Sequence, residues 1–81
     1  MMSESIEIKK FRQEFGITVR RHRHKLDLSQ ETFADKANLH RTYISSIELG
    51  KVDAGIGVAY KIAKALNLSL NKLVKEAENN T

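Results

Sequence analysis

The stretch Gln30 to Ile47 constrains this chain more than any other. Its apolar residues, Phe33, Ala37, Leu39, Ile44 and Ile47, are spaced as two short helices that share one buried side. Ala34 is small enough to let a second helix cross the first closely. Asn38 stands between the two halves, and asparagine is one of the few side chains that tolerates the left-handed backbone of a tight interhelical turn. The spacing predicts a helix-turn-helix over residues 30–49. Such a unit mainly serves to lay its second helix in the major groove of DNA.

The rest of the composition agrees with an all-α fold. The chain has no proline and only four glycines, and it is rich in Lys, Glu, Ala and Leu, all good helix formers. At 81 residues it is expected to be a single domain, 1–81, near the lower end of sizes that fold alone. Hydrophobic residues make up 41%, enough for a core, yet no apolar run approaches the ~20 residues of a spanning helix, so no membrane partner is expected. The start, Met1 to Lys10, alternates acids with isoleucines and does not read as a secretory signal. Cysteine is absent, which fits a reducing cytoplasm.

No catalytic constellation is visible. The chain has no glycine-rich phosphate loop, no two-carboxylate motif and no serine paired with an activating base. His22 and His24, two apart, point to different sides of a helix, and with no cysteine or nearby acidic cluster they do not form a metal set. Neither enzyme activity, nor a cofactor, nor a metal is expected.

The net charge is +4, and its distribution says more than its size. Lys9, Lys10, Arg12, Arg20, Arg21, Arg23 and Lys25 face the single acid Glu14, a local balance of +6 that leaves −2 for everything else. Charge gathered this way suits an approach to a polyanion with one face, or else an ordinary solvated helix surface.

Along the chain, a first helix is expected from about Ser5 to Lys25, with Ile8, Phe11, Phe15, Val19 and His22 as its buried line. Ser29 is a good N-cap for a second helix, from Gln30 to about Ala37, and Glu31 suits the positive end of its dipole. A third helix spans about Arg41 to Leu49 and stops at Gly50. Lys51 to Gly57 reads as a loop. A fourth helix carries Ile56, Ala59, Ile62, Ala63 and Leu66 on one face. Asn67-Leu68-Ser69 repeats the turn-then-cap pattern, and Leu70, Leu73, Val74 and Ala77 stripe a fifth helix before a frayed tail at 78–81. No apolar stripe is left over for a further partner.

Three stretches carry a resemblance: Leu28-Ser29-Gln30-Glu31-Thr32-Phe33-Ala34, Tyr43-Ile44-Ser45-Ser46-Ile47-Glu48-Leu49-Gly50 and Ile62-Ala63-Lys64-Ala65-Leu66. Over about Phe15 to Val74 the chain resembles the Xre-like, phage-repressor and Cro type of helix-turn-helix domain. That implies a compact five-helix, lambda-repressor-like fold. His40-Arg41-Thr42-Tyr43-Ile44-Ser45 with Ile47-Glu48-Leu49-Gly50 looks most like controller proteins of restriction-modification systems. The resemblance implies a homodimeric regulator on a pseudo-palindromic double-stranded DNA operator, acting as activator and autorepressor with RNA polymerase as a further partner. The alternative is an antitoxin-type or phage-type regulator that binds a partner protein as well as DNA. Two positions depart from the family pattern: Asp27 stands where glycine is usual, and His22 takes a core position, so its ring is either buried neutral or extended to the edge.

Recognition helices enter the groove by their N-terminal end. With Ile44 and Ile47 facing the core, Arg41, Thr42, Ser45 and Ser46 remain as candidates to touch bases. The fork of Arg41 matches O6 and N7 of guanine, or else it holds a phosphate or faces solvent as a cap residue. Thr42 offers a methyl group to thymine and a hydroxyl to base or phosphate. In the family, the positions matching Arg41, Thr42 and Ser46 commonly touch bases. Gln30 opens the second helix, where free backbone N–H groups suit a phosphate, and in relatives this glutamine often clamps the backbone. Tyr43, Lys51 and Ser29 are further phosphate candidates, Lys51 being equally readable as a solvated loop lysine. The resemblance also implies an internal ion pair between Arg23 and Glu48, and a dimer surface at Asn67, Leu70, Asn71 and Val74, although the apolar members of that set are also readable as core.

Overall fold

The computed structural model describes residues 5–81; residues 1–4, part of the start weighed above as a possible signal, lie outside the described residues. Those described form five α-helices: α1 (Ile6–Lys25), α2 (Gln30–Ala37), α3 (Arg41–Glu48), α4 (Ile56–Ala65) and α5 (Leu70–Asn79). None of them is long and apolar enough to cross a membrane.

The helices begin and end for local chemical reasons. Ser5, Ser29 and Ser69 sit in extended backbone, and each hydroxyl oxygen accepts from a backbone N–H in the first turn, those of Ile8, Thr32 and Lys72, at 3.0–3.1 Å. Each satisfies one of the orphan donors of a helix start, worth about 1 kcal/mol. Four exits share one device. Asp27, Asn38, Gly50 and Asn67 all take left-handed backbone, with φ between +57° and +70°. The next residue's N–H then reaches back to the helix: Leu28 to Arg23, Leu39 to Ala34, Lys51 to Ser46 and Leu68 to Ala63. Leu28, Leu39 and Leu68 also pack against the core, which is the apolar contact that usually accompanies this exit. Asp27 therefore performs the turn for which glycine is usual.

α1 packs on α5 and α3, α2 lies across α3 and α4, and α4 meets α5. The centre is Val19, Phe33, Ile44, Ile47, Ile62 and Leu73, all essentially inaccessible to water. Burying each such side chain contributes on the order of 1.5–3 kcal/mol.

Three expectations need correction. The apolar line of α1 is buried only from Phe15 onward, since Phe11 is half-buried and Ile8 is 54% exposed. The loop after α3 is shorter than its two glycines suggest. Gly55 takes the extended N-cap position, so α4 starts at Ile56 with Gly57 already inside it, and Ile56 is 82% exposed rather than buried. Helical spacing tells which residues share a face, and both helices run their first turns past the layer that covers that face. Finally, Glu78 and Asn79 belong to α5 rather than to a frayed tail. Ala77 is fully buried, and the Thr81 hydroxyl donates to its carbonyl at 2.9 Å, which ties the end of the helix down.

Candidate nucleic-acid interface

α3 is held firmly at one end and presented at the other. At its C-terminal end the α1 backbone comes into direct contact. A methyl group at Gly16 would collide with the carbonyl oxygens of Ile47 and Glu48, so only glycine permits this approach. Arg12 donates through Nε to the Gly50 carbonyl at 2.9 Å and through Nη1 to Asp53 at 3.1 Å, covering the exit of α3.

Arg23 and Glu48 meet in a two-pronged ion pair, Nε to Oε2 at 2.7 Å and Nη2 to Oε1 at 2.9 Å, with side chains only 8% and 3% exposed. The remaining nitrogen, Nη1, donates to the Leu28 carbonyl at 2.7 Å. Three segments thus converge on one guanidinium: the end of α1, the turn before α2 and the end of α3. A pair this dry is costly to assemble but more costly to break on one side only.

The other end of α3 is open. His40 occupies its N-cap position without a side-chain cap bond, and Arg41 and Thr42 project into solvent. Ser45 and Ser46 are half-buried one turn further on. Tyr43 is half-buried as well, because its ring packs against the core. The start of α2 lies within reach of the buried pair. Gln30 is half-buried, and its Nε2 donates to Oε1 of Glu48 at 3.1 Å. The exposed Ser29 spends its hydroxyl on Thr32, capping its backbone N–H and donating to its Oγ1 at 3.0 Å. Lys51 is exposed just beyond Gly50. Asn67 and Asn71 are exposed, whereas Leu70 and Val74 are half-buried against the core.

A second charged cluster joins α1 to α5 on a different side of α1. Glu76 Oε1 accepts from the His22 ring at 2.7 Å and from Arg21 at 3.0 Å, with Lys72 at 3.8 Å from Oε2. The hydrogen bond from His22 above all, then that from Arg21, holds the Glu76 carboxyl below the usual carboxylate range against the opposing effect of burial. Of the two courses expected for His22, the ring takes the buried one, and a carboxylate partners it there. Arg12, Arg21 and Arg23 each pair with an acid of another part of the chain, and of the basic run Lys9, Lys10, Arg20 and Lys25 are exposed.

Sequence reasoning missed Gly16, Arg12 and Glu76. Gly16 left a legible sign, a glycine inside a strong helix on the side next to Phe15 and Val19. Arg12 and Glu76 left none, because their partners lie 38 or more residues away in the chain.

Five helices with an outward α3 define a DNA-binding helix-turn-helix domain. Residues 19–73 match the family model described as Helix-turn-helix, and the chain belongs to that family. More particularly, it is 44% identical over 54 residues to Control protein C.MunI of Mycoplasma sp, covering 67% of this chain and 73% of that one. It is 43% identical over 56 residues to Control protein C.SmaI of Serratia marcescens, with 69% and 67% covered. Among solved structures, the restriction-modification controller protein C.AhdI from Aeromonas hydrophila superposes with a TM-score of 0.74 at 33% identity, covering 75% of this chain and 92% of that one. The chain is a DNA-binding regulator of this control-protein kind.

Proposed function

We propose that this regulator acts as a homodimer on a pseudo-palindromic operator and controls restriction-modification genes, its own among them. The observation that carries the reading is the asymmetry of α3. Its last turn is locked by Gly16, Arg12 and Arg23, and its first turn offers Arg41 and Thr42 to solvent. In this reading Arg41, Thr42, Ser45 and Ser46 face base edges, and Ser29, Gln30, Tyr43 and Lys51 fix the docking register on phosphates. No step of chemistry is assigned to the domain, which works by occupancy in the cytoplasm: bound upstream it recruits polymerase, and bound over a promoter it blocks it.

One domain covers one half-site, so two copies with reading helices ~34 Å apart are needed to span successive turns of one DNA face. Asn67, Leu70, Asn71 and Val74 supply the surface between copies. An observation the sequence did not foretell supports this placement. An apolar groove is open at the surface, lined by Ile8, Phe11, Ile56 and Ala59 together with Leu70 and Val74. Since two of the dimer candidates form part of its wall, a second copy accounts for it without a foreign protein. A partner of the antitoxin kind would need the same groove and therefore compete with dimer formation.

Footprinting on DNA immediately upstream of the chain's own gene tests the proposal. Two symmetric protected half-sites are expected, with Gln30→Ala weakening binding on every sequence alike. Equal affinity for that DNA and for random duplexes would falsify it.

A further inference from the structure

Gln30 is held by the same carboxylate that anchors Arg23. Glu48 Oε1 accepts from Arg23 Nη2 at 2.9 Å and from Gln30 Nε2 at 3.1 Å, while Oε2 accepts from Arg23 Nε. The carboxylate is almost wholly buried, has its charge balanced by the guanidinium, and reaches from the last residue of α3 to the first residue of α2. Nε2 of a glutamine carries two hydrogens, and Glu48 takes one of them.

From this geometry we infer that Glu48 is a positioning residue for phosphate capture. It fixes the Gln30 amide so that its second N–H is ready to donate to the DNA backbone. The inference rests on the assignment of Gln30 to a phosphate in the preceding section and adds what orients it. A free glutamine has three rotatable side-chain bonds to immobilise when it docks, and here that ordering is already done by the fold. Arg23 extends the same restraint to the carbonyl of Leu28, just before the cap of α2. The phosphate-gripping start of α2 and the base-facing helix α3 are thereby fixed to one buried group, so register on the backbone and aim at the bases are set together.

A double-mutant cycle on a random-sequence duplex at low salt tests this, with Gln30→Ala, Glu48→Asp and both together. Aspartate keeps the charge opposite Arg23 but draws the carboxylate back from Gln30. Glu48→Asp is expected to lose about threefold to tenfold in affinity, the cost of ordering one long side chain. It should lose nothing further once Gln30 is alanine. An equal loss in both backgrounds overturns the inference, because Glu48 would then act through the fold and not through Gln30. A Gln30→Ala variant that binds as the wild type does shows instead that the phosphate assignment itself is wrong.

The side-chain amide of Gln30 gives a readout that a purely structural role of Glu48 does not move. In the free wild-type protein, nuclear magnetic resonance should find one of its two amide protons shifted and slow to exchange. Glu48→Asp should return that proton to the shift and fast exchange of a free glutamine while the backbone spectrum of α2 persists. If the variant does not fold, the wild-type signal still decides, since two amide protons both at the shifts of a free glutamine and both exchanging fast overturn the inference.

Discussion

The two ends of α3 are built on opposite plans. At Glu48 every polar group is paired, α1 touches the helix backbone, and water is excluded. Three residues earlier the grip has loosened to half-buried Ser45, and at Arg41 and Thr42 the side chains stand in solvent. An eight-residue helix is too short to be stable by itself in water. The difference teaches that its free end can be aimed only because its other end is clamped.

The most severe way to break that contrast is to attack the clamp. Glu48→Ala would leave the Arg23 guanidinium buried without its carboxylate, and about 3–5 kcal/mol of stability should be lost. Chemical denaturation should show the midpoint collapsing, and a midpoint within error of wild type would mean that the pair carries no weight. Gly16→Ala is next. The added methyl group has only backbone to push against, and an overpacking cost of about 1–3 kcal/mol is expected. An unchanged melting temperature would show that α1 can slide away from α3 freely.

At the open end, the expected effect is on discrimination and not on stability. Arg41→Ala should melt as the wild type does, yet relax preference at one base position of each half-site by about 1–3 kcal/mol. A selection from randomised half-sites would show it, and a uniform loss across all sequences would reassign Arg41 to a phosphate. The smallest effect sharpens the contrast from outside it, where α1 packs on α5. Because the Glu76 carboxyl titrates below its usual range, its contribution is present above that range and fades as pH falls through the lowered value. Melting followed from about pH 6 down to about pH 3 should therefore fall less steeply in Glu76→Gln, which gives up about 1 kcal/mol at neutral pH. Identical slopes would remove Glu76 from the account.

What the sequence disclosed follows the range of the forces involved. Ser29, Asn38 and Gly50 act on backbone within a few residues, so α2 was legible to the residue and α3 to within one. Ile8 and Ile56 were misread because periodicity registers a shared face and is silent about what covers it. The pairs Arg12–Asp53 and Arg21–Glu76 join residues that only the finished fold brings together, and Arg23–Glu48 came from resemblance alone. The outward place of Arg41 and Thr42 was legible because Ile44 and Ile47 claim the core side. The hold of Glu48 on Gln30 was not, since nothing in either neighbourhood marks the other.

The left-handed exits at Asp27, Asn38, Gly50 and Asn67 make the connections of this domain elbows of set angle, where slack segments would have let the helices drift. Lengthening any of them by one residue would swing all later helices as a block. Evolution or an engineer can thus exchange side chains along Arg41 to Ser46 to choose a new target, but cannot cheaply change the lengths that aim them.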